Sequence, residues 1–105
     1  MTTYDFIAPL WRWSDERSDG DASWHFVTVP AAPSEQIREA LVDPPRGFGS
    51  VRVAARAGAT TWETSVFPDK RSGCYVLPMK RSVRIAEDLV PGDPVAVSLT
   101  VHDGT

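Results

Sequence analysis

Apolar positions along this chain follow two rhythms, and the same succession of rhythms occurs twice. Trp24 to Val29 alternates and predicts a strand. After Pro30 the apolar positions move to Ile37, Ala40 and Leu41, a helical stripe running to about Val42, with Pro33 in its first turn. Asp43 to Gly49 is rich in Pro and Gly and stops that helix, and a strand starts near Ser50. The second passage begins with a strand over 74–77, breaks at Pro78, and continues as a helix from about Lys80 to Leu89. It stops at Val90-Pro91-Gly92-Asp93 and ends in a strand over 95–102. In this match Pro30 falls on Pro78, Ile37 on Ile85, Glu39 on Glu87 and Leu41 on Leu89. A repeated unit that cannot bury its own apolar face must pair with its copy, so the pattern predicts one domain with an internal pseudo-twofold.

The remaining segments complete a mainly β chain. Residues 3–13 mix aromatic and branched residues around Ala8-Pro9 and predict a bent or edge strand. Ser14 to Ala22 is polar and acidic and reads as an exposed loop. Ala57-Gly58-Ala59 predicts a hairpin turn between strands 50–57 and 60–67, and Pro68 to Gly73 predicts the next turn. His102 to Thr105 reads as a frayed tail. Six short strands and two short helices suit a small closed barrel over the whole of 1–105.

Composition narrows this picture only a little. With 42% apolar and 24% charged residues over 105 positions, the chain is an ordinary globular domain. It has no apolar run near the roughly 18 residues of a membrane span and no basic-then-apolar start, so it is expected to be cytoplasmic and free of membrane. Cys74 stands alone, which fits a reducing compartment. The net charge of −3 argues against nucleic acid as a partner, although bases gather in the middle (Arg46, Arg52, Arg56, Lys70, Arg71, Lys80, Arg81, Arg84).

Candidate chemistry is sparse. The second helix opens with Lys80 and Arg81 and closes with Glu87 and Asp88, opposing the helix dipole. Free N–H groups there, with Lys80 and with Lys70 from the preceding turn, form a candidate anion site; the bland alternative is that these bases pair with the acidic loop or Glu63, or face water. The aromatics Trp11, Trp13, Trp24, Phe26, Phe48, Trp62, Phe67 and Tyr75 are many for a small domain. Most suit core filling, and some could line an apolar cleft anchored by Arg52, Thr64 and Lys70. His25 has no Ser or Cys nucleophile in a recognisable motif with it, and Cys74 reads as a small core residue. Two His and one Cys without ligand spacing predict no zinc site, and Gly47-Phe48-Gly49 lacks the pattern of a phosphate loop. No cofactor is expected.

Several runs, in order, resemble a family of small bacterial domains known as domain of unknown function 1905. They are Trp24 to Pro30, Gly47 to Val53, Thr61 to Lys70, Gly73 to Lys80, and Gly92-Asp93. The resemblance covers about Tyr4 to Val101 and implies a closed double-split β-barrel with internal pseudo-symmetry. It implies no established activity. The same barrel is shared with AbrB-like DNA-binding and antitoxin proteins, which assemble it from two chains. The second copy, Leu77-Pro78 through Gly92-Asp93 to Val97, looks closest to that pattern. The C-terminal extension that many members carry, resembling YdeI or OmpD-associated proteins, does not follow here.

The expected function is a non-catalytic binding module for a small anionic ligand or a protein segment, as a monomer or weak homodimer. Its candidate ligand-binding residues are Trp24, Arg52, Trp62, Lys70, Tyr75 and Lys80. An AbrB-like DNA-binding or antitoxin role rests on fold analogy, and the first repeat, with Glu35, Arg38 and Glu39, does not duplicate the basic face. A small enzyme using His25, Tyr75 or Glu63 as an acid–base group is the third alternative.

Overall fold

The structure, a computed structural model, describes residues 3–13, 24–40 and 49–102. The expected acidic loop, the end of the first helix beyond Ala40, the Pro–Gly stop with Phe48, and the tail beyond His102 lie outside those residues. The elements are β1 (Thr3–Trp13), β2 (Trp24–Thr28), α1 (Ala31–Ala40), β3 (Val51–Ala57), β4 (Thr60–Pro68), β5 (Tyr75–Pro78), α2 (Arg81–Ala86) and β6 (Pro94–Val101). The strands close into a six-stranded barrel in the order β1-β2-β5-β4-β3-β6, with all six pairings antiparallel. A mainly β barrel with two short helices is therefore the fold.

β1 is bent and shared, and it is not an edge strand. Thr3 to Pro9 pair with β6, and Leu10 to Trp13 pair with β2. Pro9, which has no N–H to give a ladder, stands where the partner changes. Beyond it, Leu10 donates to the Asp93 carbonyl (2.9 Å) and accepts from the Gly92 N–H (2.7 Å), so the Pro-Gly-Asp turn staples the corner. β4 is divided likewise, pairing with β3 up to Val66 and with β5 at Phe67 and Pro68.

The two halves are related by a pseudo-twofold that runs through the β2–β5 ladder. Val27 pairs with Leu77, and the flanking pairs Phe26 with Pro78 and Thr28 with Val76 exchange under it. So do the hydrogen bonds Val29 N–H to Tyr75 O (2.8 Å) and Met79 N–H to His25 O (2.9 Å). This relation matches Val27 with Leu77 and Ala31 with Arg81. The sequence match had aligned Pro30 with Pro78, so the repeat is present but displaced by one strand period. Alternation repeats every second residue, and a slip of two keeps every side chain on its face, so the pattern could not separate the two registers. The consequence falls on Ile85. It was aligned with Ile37, which is fully buried, but it is 66% exposed, and its true counterpart is the exposed Glu35.

The inward faces supply the core: Leu10, Val27, Val53, Val66, Leu77 and Leu99 from the strands, closed off by Ile37 of α1 and Val83 of α2. α2 is shorter than its apolar pattern suggested. Asp88 adopts the left-handed conformation (φ 52°), Leu89 N–H bonds to Arg84 O (2.9 Å) and Asp88 N–H to Ile85 O (3.2 Å), the Schellman arrangement that terminates a helix. Glu87, just past the helix, reaches the β3–β4 hairpin and accepts from the Thr60 hydroxyl (2.6 Å). Gly58 has φ +59°, which favours glycine, and a Cβ there would displace the Glu87 carboxylate from its place beside Thr60.

Ser34 is the one buried polar residue among those described. Its hydroxyl donates to Val29 O (2.9 Å) and accepts from Tyr75 N–H (3.1 Å), tying α1 to the ends of β2 and β5. Removing it strands both backbone groups away from water, which costs about 1–3 kcal/mol. Ser34→Ala is therefore expected to lower stability by that amount in urea unfolding. Ser82→Ala, at an exposed position of α2, should change it by no more than about 0.5 kcal/mol. Equal effects would show that the Ser34 bridge contributes nothing.

Candidate functional site

Apolar residues on the outer face of four adjacent strands build the most distinctive surface. Since Leu10, Val27 and Leu77 point into the barrel, alternation directs Trp11 and Trp13 of β1, and Trp24 and Phe26 of β2, outward. Val76 and Pro78 of β5 and Phe67 of β4 continue the same face. Together with Pro68, Asp69 and Arg71 these residues line a groove of about 430 Å³, within the range of small-molecule sites. Trp24 is 59% exposed, Phe67 39% and Trp13 38%. Val76 is 7% exposed yet stands apart from the core cluster, because it lies on the groove floor.

The walls are held in place from below. The Trp11 indole N–H donates to the Thr28 hydroxyl (2.9 Å), and its ring meets Phe26 at 5.0 Å with a 36° tilt. Phe26 and Trp24 lie nearly parallel, 6.4 Å apart with 11° between their planes. Two proline rings in the lining have no χ1 freedom to lose. The pocket is thus largely pre-formed, which lowers the entropy cost of occupying it.

Pseudo-symmetry explains why the groove has two unlike ends. Trp11 with Phe26 in one half corresponds to Phe67 with Val76 in the other. The next pair outward is Trp13 with Trp24 in the first half and Asp69 with Cys74 in the second, where the Asp69 N–H bonds to Cys74 O (2.8 Å). One end therefore carries two indoles and the other a polar turn. In that turn Asp69 accepts from the Arg71 backbone N–H (3.1 Å) and the Ser72 hydroxyl (3.1 Å).

The candidate residues named from the sequence are not brought together. Trp24 lines the groove, and Lys70 is exposed on the turn at its polar end, between Asp69 and Arg71. Trp62 (8% exposed) and Tyr75 (3%) point into the core, and the Arg38 guanidinium lies 5.7 Å from the Tyr75 ring centre. Arg52 is exposed on β3, a strand that gives nothing to the groove. Lys80 is the N-cap residue of the six-residue α2, with no side-chain cap. Arg84 folds back, its Nε donating to Met79 O (3.1 Å), instead of joining Lys80. The residues that composition alone did not single out are Trp13, Phe26 and Phe67. Their signal was present in β1, where Leu10 is followed by Trp11 and Trp13, giving apolar residues on both faces of one strand.

A family model for a domain of unknown function, DUF1905, matches residues 6–99. The chain belongs to the DUF1905 family. No curated protein shows significant similarity to it. The match takes in at least part of every strand, and all of the groove residues, from Trp11 to Pro78, lie within it.

Elsewhere in this DUF1905 domain the acid–base candidates do not converge. Glu63 is on β4 and pairs with His102 (2.7 Å), both exposed, while Tyr75 is in the core. Among the described residues no three His, Cys, Asp or Glu are placed to hold a metal, and no helix is long and apolar enough to cross a membrane. His25 points to the inner side of β2, opposite Arg12 on β1, with its Nε2 3.4 Å from Arg84 Nη1 and its Nδ1 enclosed without a partner. Burial first, then the charges of Arg84 and Arg12, hold its pKa below the ordinary 6.5. The folded state thus prefers neutral His25, whereas the unfolded chain takes up the proton below about pH 6.5. The contribution is full above that value and is lost as pH falls towards the depressed folded pKa. His25→Gln should accordingly flatten the decline in stability between about pH 7 and pH 5, read from urea unfolding at each pH. An unchanged slope would show that His25 is not among the groups responsible.

Proposed function

We propose that this DUF1905 domain is a non-catalytic binding module and that the outer aromatic groove is its binding site. The observation that carries this reading is the exposure of Trp13, Trp24 and Phe67 on one contiguous face, beside half-buried Pro78 and buried Val76. Aromatic area left in water is unfavourable at roughly 25 cal/mol per Å² and is not needed by a barrel whose interior is already filled. Rings at such positions gain from burial against a ligand. The charged residues at the groove, Asp69 and Arg71, suit orientation of that ligand.

The reading moves the binding site away from the start of α2, where Lys80 had drawn attention. A six-residue helix offers a weak dipole, and the Arg84 side chain is engaged with Met79 O and His25.

N-phenyl-1-naphthylamine, a neutral dye that fluoresces on leaving water, tests the site. It is expected to bind wild type saturably at a single site, and Trp24→Ala should weaken binding on the order of tenfold while shifting stability by no more than about 1 kcal/mol. Absence of saturable binding, or binding indifferent to Trp24→Ala, would contradict the proposal.

A further inference from the structure

The unlike ends of the groove carry a statement about what it holds. At the β4–β5 turn, the Asp69 carboxylate is engaged by the Arg71 backbone N–H and the Ser72 hydroxyl. The Arg71 side chain lines the groove, and among the described residues no carboxylate is paired with its guanidinium. Lys70 is exposed beside it, and Arg38 of α1 reaches the same turn, donating from Nη2 to Gly73 O (2.8 Å). Three cations thus stand at this end against one carboxylate that already accepts two local hydrogen bonds. At the opposite end are the Trp13 and Trp24 indoles, with no charged residue in the lining there.

Resting on the reading of the groove as the binding site, we infer that its ligand is a small aromatic anion. The flat ring system stacks along the near-parallel Trp24 and Phe26 rings, and the carboxylate or phosphate meets the Arg71 guanidinium. The aromatic lining favours an aromatic body, because ring–ring contacts contribute beyond the area they bury. A guanidinium matches a carboxylate or phosphate with two parallel N–H donors, and such charge-assisted bonds are the stronger class. The broken pseudo-symmetry sets the ligand's direction: the indoles of Trp13 and Trp24 stand at one end and the Arg71 guanidinium at the other, so only that end takes the charge.

The test is displacement of bound N-phenyl-1-naphthylamine by three probes that share a naphthalene ring: 2-naphthoate, 2-naphthyl phosphate and the neutral 2-naphthalenemethanol. At least one anion is expected to displace the dye on the order of tenfold more tightly than the alcohol, and the better of the two tells carboxylate from phosphate. Arg71→Gln should abolish that preference by weakening the anions far more than the alcohol or the dye, and Trp24→Ala should weaken all of them. Equal displacement by the anions and the alcohol, or a preference indifferent to Arg71→Gln, would overturn the inference while leaving the groove as a binding site. No binding of any probe, dye included, would overturn both. Indole N–H resonances of Trp13 and Trp24 that shift with protein concentration in the absence of probe would assign the face to a second copy of the chain, and would overturn the inference as well.

Discussion

The β2–β5 ladder is the contact on which the rest of the molecule depends. It is short, with three register pairs and one further backbone hydrogen bond at each end, but it joins the two halves of the chain across the pseudo-twofold. Its central pair, Val27 and Leu77, is fully buried and anchors the core. Because alternation is strict, fixing that pair inward fixes Phe26, Thr28, Val76 and Pro78 outward, and of these Phe26, Val76 and Pro78 line the groove. A slip of one residue here would empty the core and the groove together. Ser34 secures one end of the ladder by bridging Val29 O and Tyr75 N–H, and the Arg84 side chain reaches the other through Met79 O.

A symmetric ring of strands would give a symmetric outer face, and this one is not. Valine, leucine and alanine fill many inward positions of both halves, although Tyr75 stands in one half where His25 stands in the other. On the outer face the departure from symmetry falls where Trp13 and Trp24 stand in one half and Asp69 and Cys74 in the other. Inward positions answer to packing density, and outward positions are free of it, so differences between the halves accumulate outside unless some function constrains them. Five aromatic residues stand on one outer face, beside a turn that carries Lys70 and Arg71, and this gives the surface a direction.

Much of the fold was legible because strand alternation, the Gly58 turn and the Pro–Gly stops are local signals. Closure into a barrel followed from strand number and the repeat. The register of the repeat was not legible, since a two-residue slip leaves the alternation intact and Pro30 and Pro78 formed a persuasive but false match. Nor could composition sort the aromatics: Trp62 and Trp24 look alike in sequence, and only the pairing with Ala55 on β3 places Trp62 inside. Placement of Lys70 near the groove was partly visible, as a base on the turn before β5. The Lys80 site rested on charge along one short helix, where nothing in the sequence revealed that Arg84 would turn back to Met79 O and His25.

The central claim is that the outer aromatic face is maintained for contact with a ligand and not for the integrity of the barrel. The most direct measurement compares urea unfolding of the double variant Trp13→Ala/Trp24→Ala with that of Trp62→Ala. The account predicts a loss of about 3–5 kcal/mol for the buried Trp62 and less than about 2 kcal/mol for the two exposed indoles together. A double variant as damaged as Trp62→Ala would show that the outer rings hold the barrel together, and the case for a binding groove would fall with it.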